Sequence, residues 1–350
     1  MRNGIWAMNN SNPFMNINSY LGNVLSTKLS SNEMQTEIAS RARAALLVLL
    51  RSLRKLNHVP PNVFFKLFDA QIQPMLLYGS EIWGLEDCHI LEQVHLCALK
   101  RFLNVSPRSP NDMVYGETGR FPLCINARLR CIKYWLKILK MEESRLPKRV
   151  YVMMLNSVEH KWLWTSKVRR LLVDCDLEHV WAAQHVNDEA TFLKDVRNKL
   201  TYVFYEEWER RIMVSNRYDF YRQFKCCWGV EQYLYDIDKK VFRDVFVRFR
   251  MGISDLYVHK FRYTTFDVQK LCPLCREELE TEKHFLLCCP ALCDLRERYL
   301  YVNGTCENLT SLLSNRQMKT IRSISMYLYK AFSRRQQAVE SFESDSFFMD

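Results

Sequence analysis

The chain has 350 residues, 48% of them apolar, and 50 Lys and Arg against 39 Asp and Glu give a formal net charge of +11. That apolar content is ample for the cores of two or three domains. The charge favours a polyanion such as nucleic acid over an acidic protein as partner. Only nine glycines and ten prolines leave little turn chemistry, which argues against many short strands and for a mainly α fold. The longest purely apolar run, 44–50, is seven residues, against about 20 needed to cross a bilayer. Thirteen cysteines without an apolar signal segment point to a reducing, intracellular compartment, nucleus or cytoplasm, with thiols serving packing or metal. The Asn-x-Ser/Thr triplets at Asn9, Asn104, Asn303 and Asn308 are then chance matches.

Residues 1–30 hold scattered Asn and Ser with weak periodicity and read as irregular or extended. The first predicted helix runs over 33–56. Ile38, Ala42, Ala45, Leu46, Leu49, Leu53 and Leu56 share one arc of the helical wheel, and Arg43, Arg51, Arg54 and Lys55 share the opposite one. Pro60-Pro61 stops it. A second helix is predicted from Asn62 as N-cap, carrying Phe64, Phe65, Leu67 and Phe68 and apolar on nearly all sides, hence buried, until Pro74 kinks or ends it. A third spans 90–103, with Lys100 and Arg101 at the end where cations suit the dipole. After the breaks at Pro107 and Pro110, Pro122 takes a first helical position and the run to 141 is amphipathic, with Arg130, Lys133, Lys137 and Lys140 in one basic stripe.

From 147 to about 261 the pattern is helical with aromatic punctuation. Trp162, Trp164, Trp181, Trp208, Tyr218, Tyr221, Trp228 and Tyr233 read as core anchors. A last helix is predicted over 318–338, before a Ser/Glu/Asp-rich tail, 341–350, that frays.

Between these stands Cys272-Pro-Leu-Cys275-Arg-Glu-Glu-Leu-Glu-Thr-Glu-Lys-His284-Phe-Leu-Leu-Cys288-Cys289-Pro290. The spacing C-x2-C-x8-H-x4-C supplies three thiolates and an imidazole, a donor set suited to one structural Zn2+ with a closed shell. The fourth ligand has two candidates. Cys288 lies four residues after His284 and shares its face if the segment is helical. Cys289 precedes a proline, which pushes it out of helical dihedrals and lets its side chain swing back.

Several of these phrases resemble one family, the reverse transcriptases of LINE-type non-LTR retrotransposons, in the region after the polymerase palm. Ser19-Tyr-Leu-Gly22 with Ser26-Thr-Lys-Leu-Ser30 resembles the start of the thumb. Lys66-Leu-Phe-Asp-Ala-Gln-Ile-Gln-Pro-Met-Leu-Leu-Tyr-Gly-Ser-Glu-Ile-Trp-Gly84 is similar to the thumb helix and the turn after it. Val114-Tyr-Gly-Glu-Thr-Gly-Arg-Phe-Pro-Leu123 and Phe249-Arg-Met-Gly-Ile-Ser-Asp-Leu256 are similar to segments that recur before the family's zinc knuckle. His284-Phe-Leu-Leu-Cys-Cys-Pro290 matches a His-Phe-Leu-Leu-x-Cys-Pro pattern, which places the fourth ligand on Cys289. The resemblance covers most of 19–300. The chain departs from it at Asn18, where the family usually has an aromatic residue.

The resemblance implies an irregular remnant at the start of the thumb (1–30), a thumb-like helical bundle (31–146), a helical connector (147–262), a zinc knuckle (263–300) and a C-terminal helix with an acidic tail (301–350). Two-metal polymerisation needs paired carboxylates, which the family carries as adjacent aspartates on the palm. No Asp-Asp pair occurs in this chain, and Asp174-Cys-Asp176 and Asp236-Ile-Asp238 read as solvated surface. The expectation is therefore a non-enzymatic, zinc-containing, nucleic-acid-binding accessory region with no membrane association. Arg43, Arg51, Arg54, Arg130, Lys133, Lys137 and Lys140 are its phosphate contacts, set against the reading of solvated helix faces. An intact element's reverse transcriptase is a second partner to test. The alternatives are a zinc-stapled helical protein-interaction module and a decayed element fragment with no selected function.

Overall fold

A computed structural model of the chain describes residues 17–20, 23–26, 31–56, 58–157, 160–225, 227–261, 270–300 and 308–346. The fold is mainly α. The only sheet among the described residues is an antiparallel pair, β1 (Ile17–Tyr20) and β2 (Asn23–Ser26), in the register Ile17↔Ser26 to Tyr20↔Asn23. At 17–20 and 23–26 it takes the extended form of the irregular-or-extended reading; 21–22 and 27–30, which complete the thumb-start motifs, lie outside the described residues.

In chain order there follow α1 (Asn32–Leu53), α2 (Pro61–Gln71), α3 (Gln73–Leu76), α4 (Ser80–Trp83), α5 (His89–Leu103), α6 (Asn111–Thr118), α7 (Leu123–Leu139) and α8 (Leu146–Asn156). Next come α9 (Trp164–Asp174), α10 (Glu178–Ala183), α11 (Glu189–Val214), α12 (Tyr233–Asp236), α13 (Lys240–Arg250) and α14 (Tyr257–Lys260). The last are α15 (Cys293–Tyr299), α16 (Leu309–Ser314) and α17 (Met318–Ser346). Two compact units share them: 1–45, 71–94 and 123–196 form the first, and 46–70, 95–122 and 197–350 the second.

Proline sets several boundaries. α2 begins on Pro61, whose missing N–H is one the first turn would leave unbonded anyway, so Asn62 is inside the helix and not its cap. Its apolar character is one-sided: Phe64, Phe65 and Phe68 are buried, while Val63 is exposed. Pro74 cannot continue α2 and opens the short α3 instead. α7 starts at Leu123, one residue past Pro122, with its first N–H donating to Glu92 Oε2 at 2.6 Å. α6 lies between the break at Pro110 and the helix predicted from Pro122, where no helix is predicted, and it carries Gly116 inside it. The glycine is needed, since a Cβ there would stand 2.6 Å from the Tyr221 hydroxyl and 2.9 Å from the Trp208 ring.

In the first unit α7 lies on α4. Cys131 Sγ donates to Ser80 O at 3.0 Å, and Gly84 permits the approach, its Cβ position being 2.8 Å from Ala127 O. Trp135, fully buried, stacks on Trp181 at 5.8 Å and donates to the Tyr151 hydroxyl at 2.9 Å. Tyr151 in turn donates to Gln184 Oε1 at 2.5 Å, and burial raises its pKa.

In the second unit α17 packs along α13, with Phe242 against Tyr329 and Phe249 against Phe332. α17 runs on to Ser346, into the tail expected to fray; 347–350 lie outside the described residues. Of the predicted aromatic anchors, Trp208, Tyr218, Tyr221 and Tyr233 are buried, but Trp162 is 67% exposed and carries Lys161 over its ring. Leu56 also differs from expectation. α1 ends at Leu53, so Leu56 leaves the apolar arc and is 52% exposed. No described helix is long and apolar enough to cross a membrane.

Candidate metal centre

The knuckle is built from two local devices in the second unit. A short hairpin bridges Leu271 to Leu279, with Cys272 N donating to Glu278 O at 2.8 Å and Glu280 N to Lys270 O at 2.7 Å. It holds the Cys272–Cys275 turn, closed by Arg276 N to Cys272 O at 2.8 Å, with Arg276 in the left-handed region at φ 61°. The second device is a single wide turn, His284–Cys288, closed from Cys289 N to His284 O at 2.7 Å. This is the i to i+5 bond of a π-type turn. Pro290 keeps Cys289 out of helical dihedrals, at φ −52° and ψ 118°, and that aims its thiol back at the hairpin.

The ligand atoms of Cys272, Cys275, His284 and Cys289 lie within 4.8 Å of one another and can hold a metal ion. Cys288 is exposed and outside the group, while Cys289 is fully buried. Cys272 Sγ to Cys289 Sγ is 3.8 Å, and Cys275 Sγ to His284 Nε2 is 3.4 Å. Bond lengths of a tetrahedral zinc give edges of about 3.8 Å for sulfur to sulfur and about 3.5 Å for sulfur to nitrogen. The donor set therefore fits such an ion in type and in these two edges, and four protein donors leave it no open position.

The outer shell fits as well. His284 Nδ1 meets Glu278 Oε2 at 2.8 Å, which fixes the tautomer and leaves Nε2 for the ion. A hydrogen bond from the Cys289 thiol, then the backbone N–H groups of Cys275 and Leu274, hold the Cys272 thiol down at about 5 against the opposing effect of burial. Cys289 O accepts from Arg296 Nη2 at 2.6 Å. The knuckle is pinned to α17 by Glu280, whose buried carboxylate accepts from Arg335 at 2.6 and 2.8 Å and from Tyr257 N at 2.7 Å. The Tyr327 hydroxyl donates to Phe285 O at 2.7 Å, and Phe285 packs on Phe332 at 4.7 Å.

The predicted phosphate contacts divide. Arg130 is turned inward, donating to Leu77 O at 2.8 Å, with Glu81 at 3.9 Å. Lys140 pairs with Glu189 at 3.1 Å. Lys133, Lys137 and Arg43 are exposed and carry no ion pair among the described residues. Arg51 and Arg54, also exposed, border a groove in the second unit. Asp174, Asp176 and Asp238 are exposed, but Asp236 is buried, accepting from Gln232 Nε2 at 3.2 Å. That corrects one of the four aspartates read as solvated.

A buried ionic cluster in the second unit escaped the sequence. Glu117, fully buried, lies 3.3 Å from Arg250 Nε and accepts from the Tyr233 hydroxyl. Arg250 Nη2 reaches Glu231 at 3.0 Å, Arg250 Nη1 donates to Leu313 O, and Lys225 pairs with Glu231 and donates to Gly229 O at 3.1 Å. Burial works against the guanidinium charge, but Glu117 and Glu231 raise the Arg250 pKa; burial pushes Tyr221 and Tyr233 up. Two cations and two anions balance. Glu117 and Arg250 come from two stretches, 114–123 and 249–256, that the sequence offers only as separate phrases. No family model matches the chain, and no curated protein or solved structure matches it either.

Proposed function

We propose that the chain is a zinc-containing, nucleic-acid-binding accessory region of nuclear or cytoplasmic proteins, derived from the post-palm part of a LINE-type reverse transcriptase and without polymerase activity of its own. The observation that carries the zinc reading is the convergence of Cys272, Cys275, Cys289 and His284, with Glu278 behind the imidazole. The ion is structural: it closes the knuckle and fixes 270–293 against α17. The net charge of +11 and the exposed Lys133 and Lys137 on α7 and Arg43 on α1, which carry no ion pair among the described residues, support a phosphate-backbone contact.

The test is a nucleic-acid pull-down from cells at two salt concentrations, with RNA and DNA recovered separately. Counterion release predicts that recovery falls steeply, on the order of 1000-fold in affinity from about 50 to about 200 mM salt for about six phosphate contacts. Recovery that ignores salt would remove the nucleic-acid reading and leave the zinc reading standing. Primer-template with deoxynucleotides and magnesium should show no extension, because positioning alone does not activate a primer hydroxyl.

A further inference from the structure

Where α1 ends, the second unit opens a groove of about 370 Å3. Four leucines, Leu47, Leu50, Leu53 and Leu56, line one side, and Leu47 and Leu56 are each 52% exposed. Five cations, Arg51, Arg54, Arg101, Lys240 and Arg243, line it beside Val59, Phe64, Phe102 and Asn104, and no carboxylate does. Arg51, Arg54 and Arg101 are exposed and carry no ion pair among the described residues. Lys240 shares Asp244 behind the groove. Arg243 is fixed in place, 2% exposed, with its guanidinium 4.8 Å over the Phe102 ring and Nη1 donating to Val59 O at 3.1 Å. Its buried Nε has no hydrogen-bond partner among the described residues.

This surface asks for an anionic partner that also brings large apolar side chains. A phosphodiester strand would satisfy the cations but leave the leucines wet, and Phe64 and Phe102, 2% and 5% exposed, are too covered to stack a base. An acidic, aromatic-bearing peptide satisfies both halves. The chain has such a segment of its own. Residues 341–350, Ser-Phe-Glu-Ser-Asp-Ser-Phe-Phe-Met-Asp, hold three carboxylates, three phenylalanines and a methionine, and no cation.

Within one molecule α17 carries its own end, Ser346, away from the groove. Arg322 Nε donates to Asp236 O at 2.8 Å, Tyr329 lies on Phe242, and Phe332 lies on Phe249, so α17 runs in the same direction as α13 and on past its end. The groove residues Lys240 and Arg243 sit at the start of α13. Ser346 is about 25 Å of helix beyond Tyr329, and four further residues span at most about 14 Å.

We propose that the acidic segment 341–350 of a second copy of this chain docks in the groove. Its carboxylates meet Arg54, Lys240 and Arg243, and its phenylalanines cover Leu47 and Leu56. The experiment uses a fluorescein-labelled peptide copying 341–350, titrated into the full chain at low salt and read by anisotropy, with sedimentation of the full chain and of the chain lacking 341–350. The expected result is saturable binding in the range of about 10–100 µM, weakened at least about tenfold by Arg54→Glu with Lys240→Glu. Loss of 341–350 should also abolish concentration-dependent self-association. Leu56→Ser, at an exposed position, gives an independent reading should the charge reversal fail to fold, and it should weaken the peptide too. Absence of saturable binding overturns the proposal. So does binding unchanged in Leu56→Ser, or displacement of the peptide by a ten-nucleotide single-stranded RNA with self-association indifferent to loss of 341–350.

Discussion

Two buried polar clusters of the second unit solve the same problem in opposite ways. Each removes several ionisable groups from water, a cost that is offset only by well-placed partners. In the knuckle the partners come from one short stretch of chain, and three thiols and an imidazole whose ligand atoms lie within 4.8 Å of one another could hold a metal ion between them. In the Glu117–Arg250–Glu231–Lys225 cluster the charges already cancel, and the partners come from α6, α13 and the loop before α12. The first arrangement can be completed by an ion from outside the protein, and a zinc bound there would link its stability to metal. The second is self-sufficient, and its stability is linked to the packing of distant segments.

The largest effect expected is on the first cluster. A structural zinc contributes apparent local folding energy of about 10 kcal/mol at neutral pH. A strong chelator should therefore unprotect the amides of 270–293 in hydrogen exchange while those around Glu117 stay protected. Loss of protection in both regions would mean that the clusters are one cooperative system and would break the comparison.

The converse change is Arg250→Met, which leaves Glu117 buried without its cation and should cost about 3–5 kcal/mol in urea unfolding. Metal content should stay unchanged. Adding Glu117→Gln restores neutrality, so the double variant should be more stable than the sum of the two single losses predicts; strict additivity would show that the pair is not coupled.

A smaller effect separates both clusters from the surface. Lys133→Glu with Lys137→Glu, on α7 of the first unit, should leave metal and stability unchanged, weaken binding to any nucleic-acid sequence and lower the salt slope by about two. Unchanged affinity in the folded double variant would return these lysines to a solvated helix face.

The smallest effect concerns pH. The Arg334 guanidinium holds the Asp294 carboxyl at about 2, below its ordinary value. A depressed folded pKa stabilises above the unfolded value of about 3.9, and that contribution is lost as pH falls toward 2. The pair is exposed, so after solvent screening the loss is below about 1 kcal/mol. Arg334→Ala should flatten the acid limb of the stability curve by that small amount.

What the sequence disclosed follows the range of the interactions. The knuckle was legible because all four donors fall within 18 positions and because a thiol before proline has one direction to turn. The arc Ile38, Ala42, Leu46 and Leu49 was legible for the same reason, since helical periodicity is local. Glu278 behind His284 and Glu280 on Arg335 were not: a string of glutamates after a cysteine turn looks like solvated surface until a helix 55 residues away supplies the arginine. Glu117 and Arg250, 133 residues apart, had no local signal at all. α6 is not among the predicted helices, and its Gly116 serves the close approach of Trp208 and Tyr221. The ends of the predicted basic stripe differ from its middle, since Arg130 meets Leu77 O and Glu81, and Lys140, one residue past α7, meets Glu189, partners that periodicity does not reveal.

The central claim is that four side chains of the knuckle hold one zinc ion. Elemental analysis of the purified full chain by mass spectrometry tests it most directly, with Cys288→Ala and Cys289→Ala beside the wild type. About one zinc per chain is expected in the wild type and in Cys288→Ala, and loss of it in Cys289→Ala. A wild-type chain that is folded over 270–293 and contains no zinc, or a Cys289→Ala chain that retains it, would contradict the account.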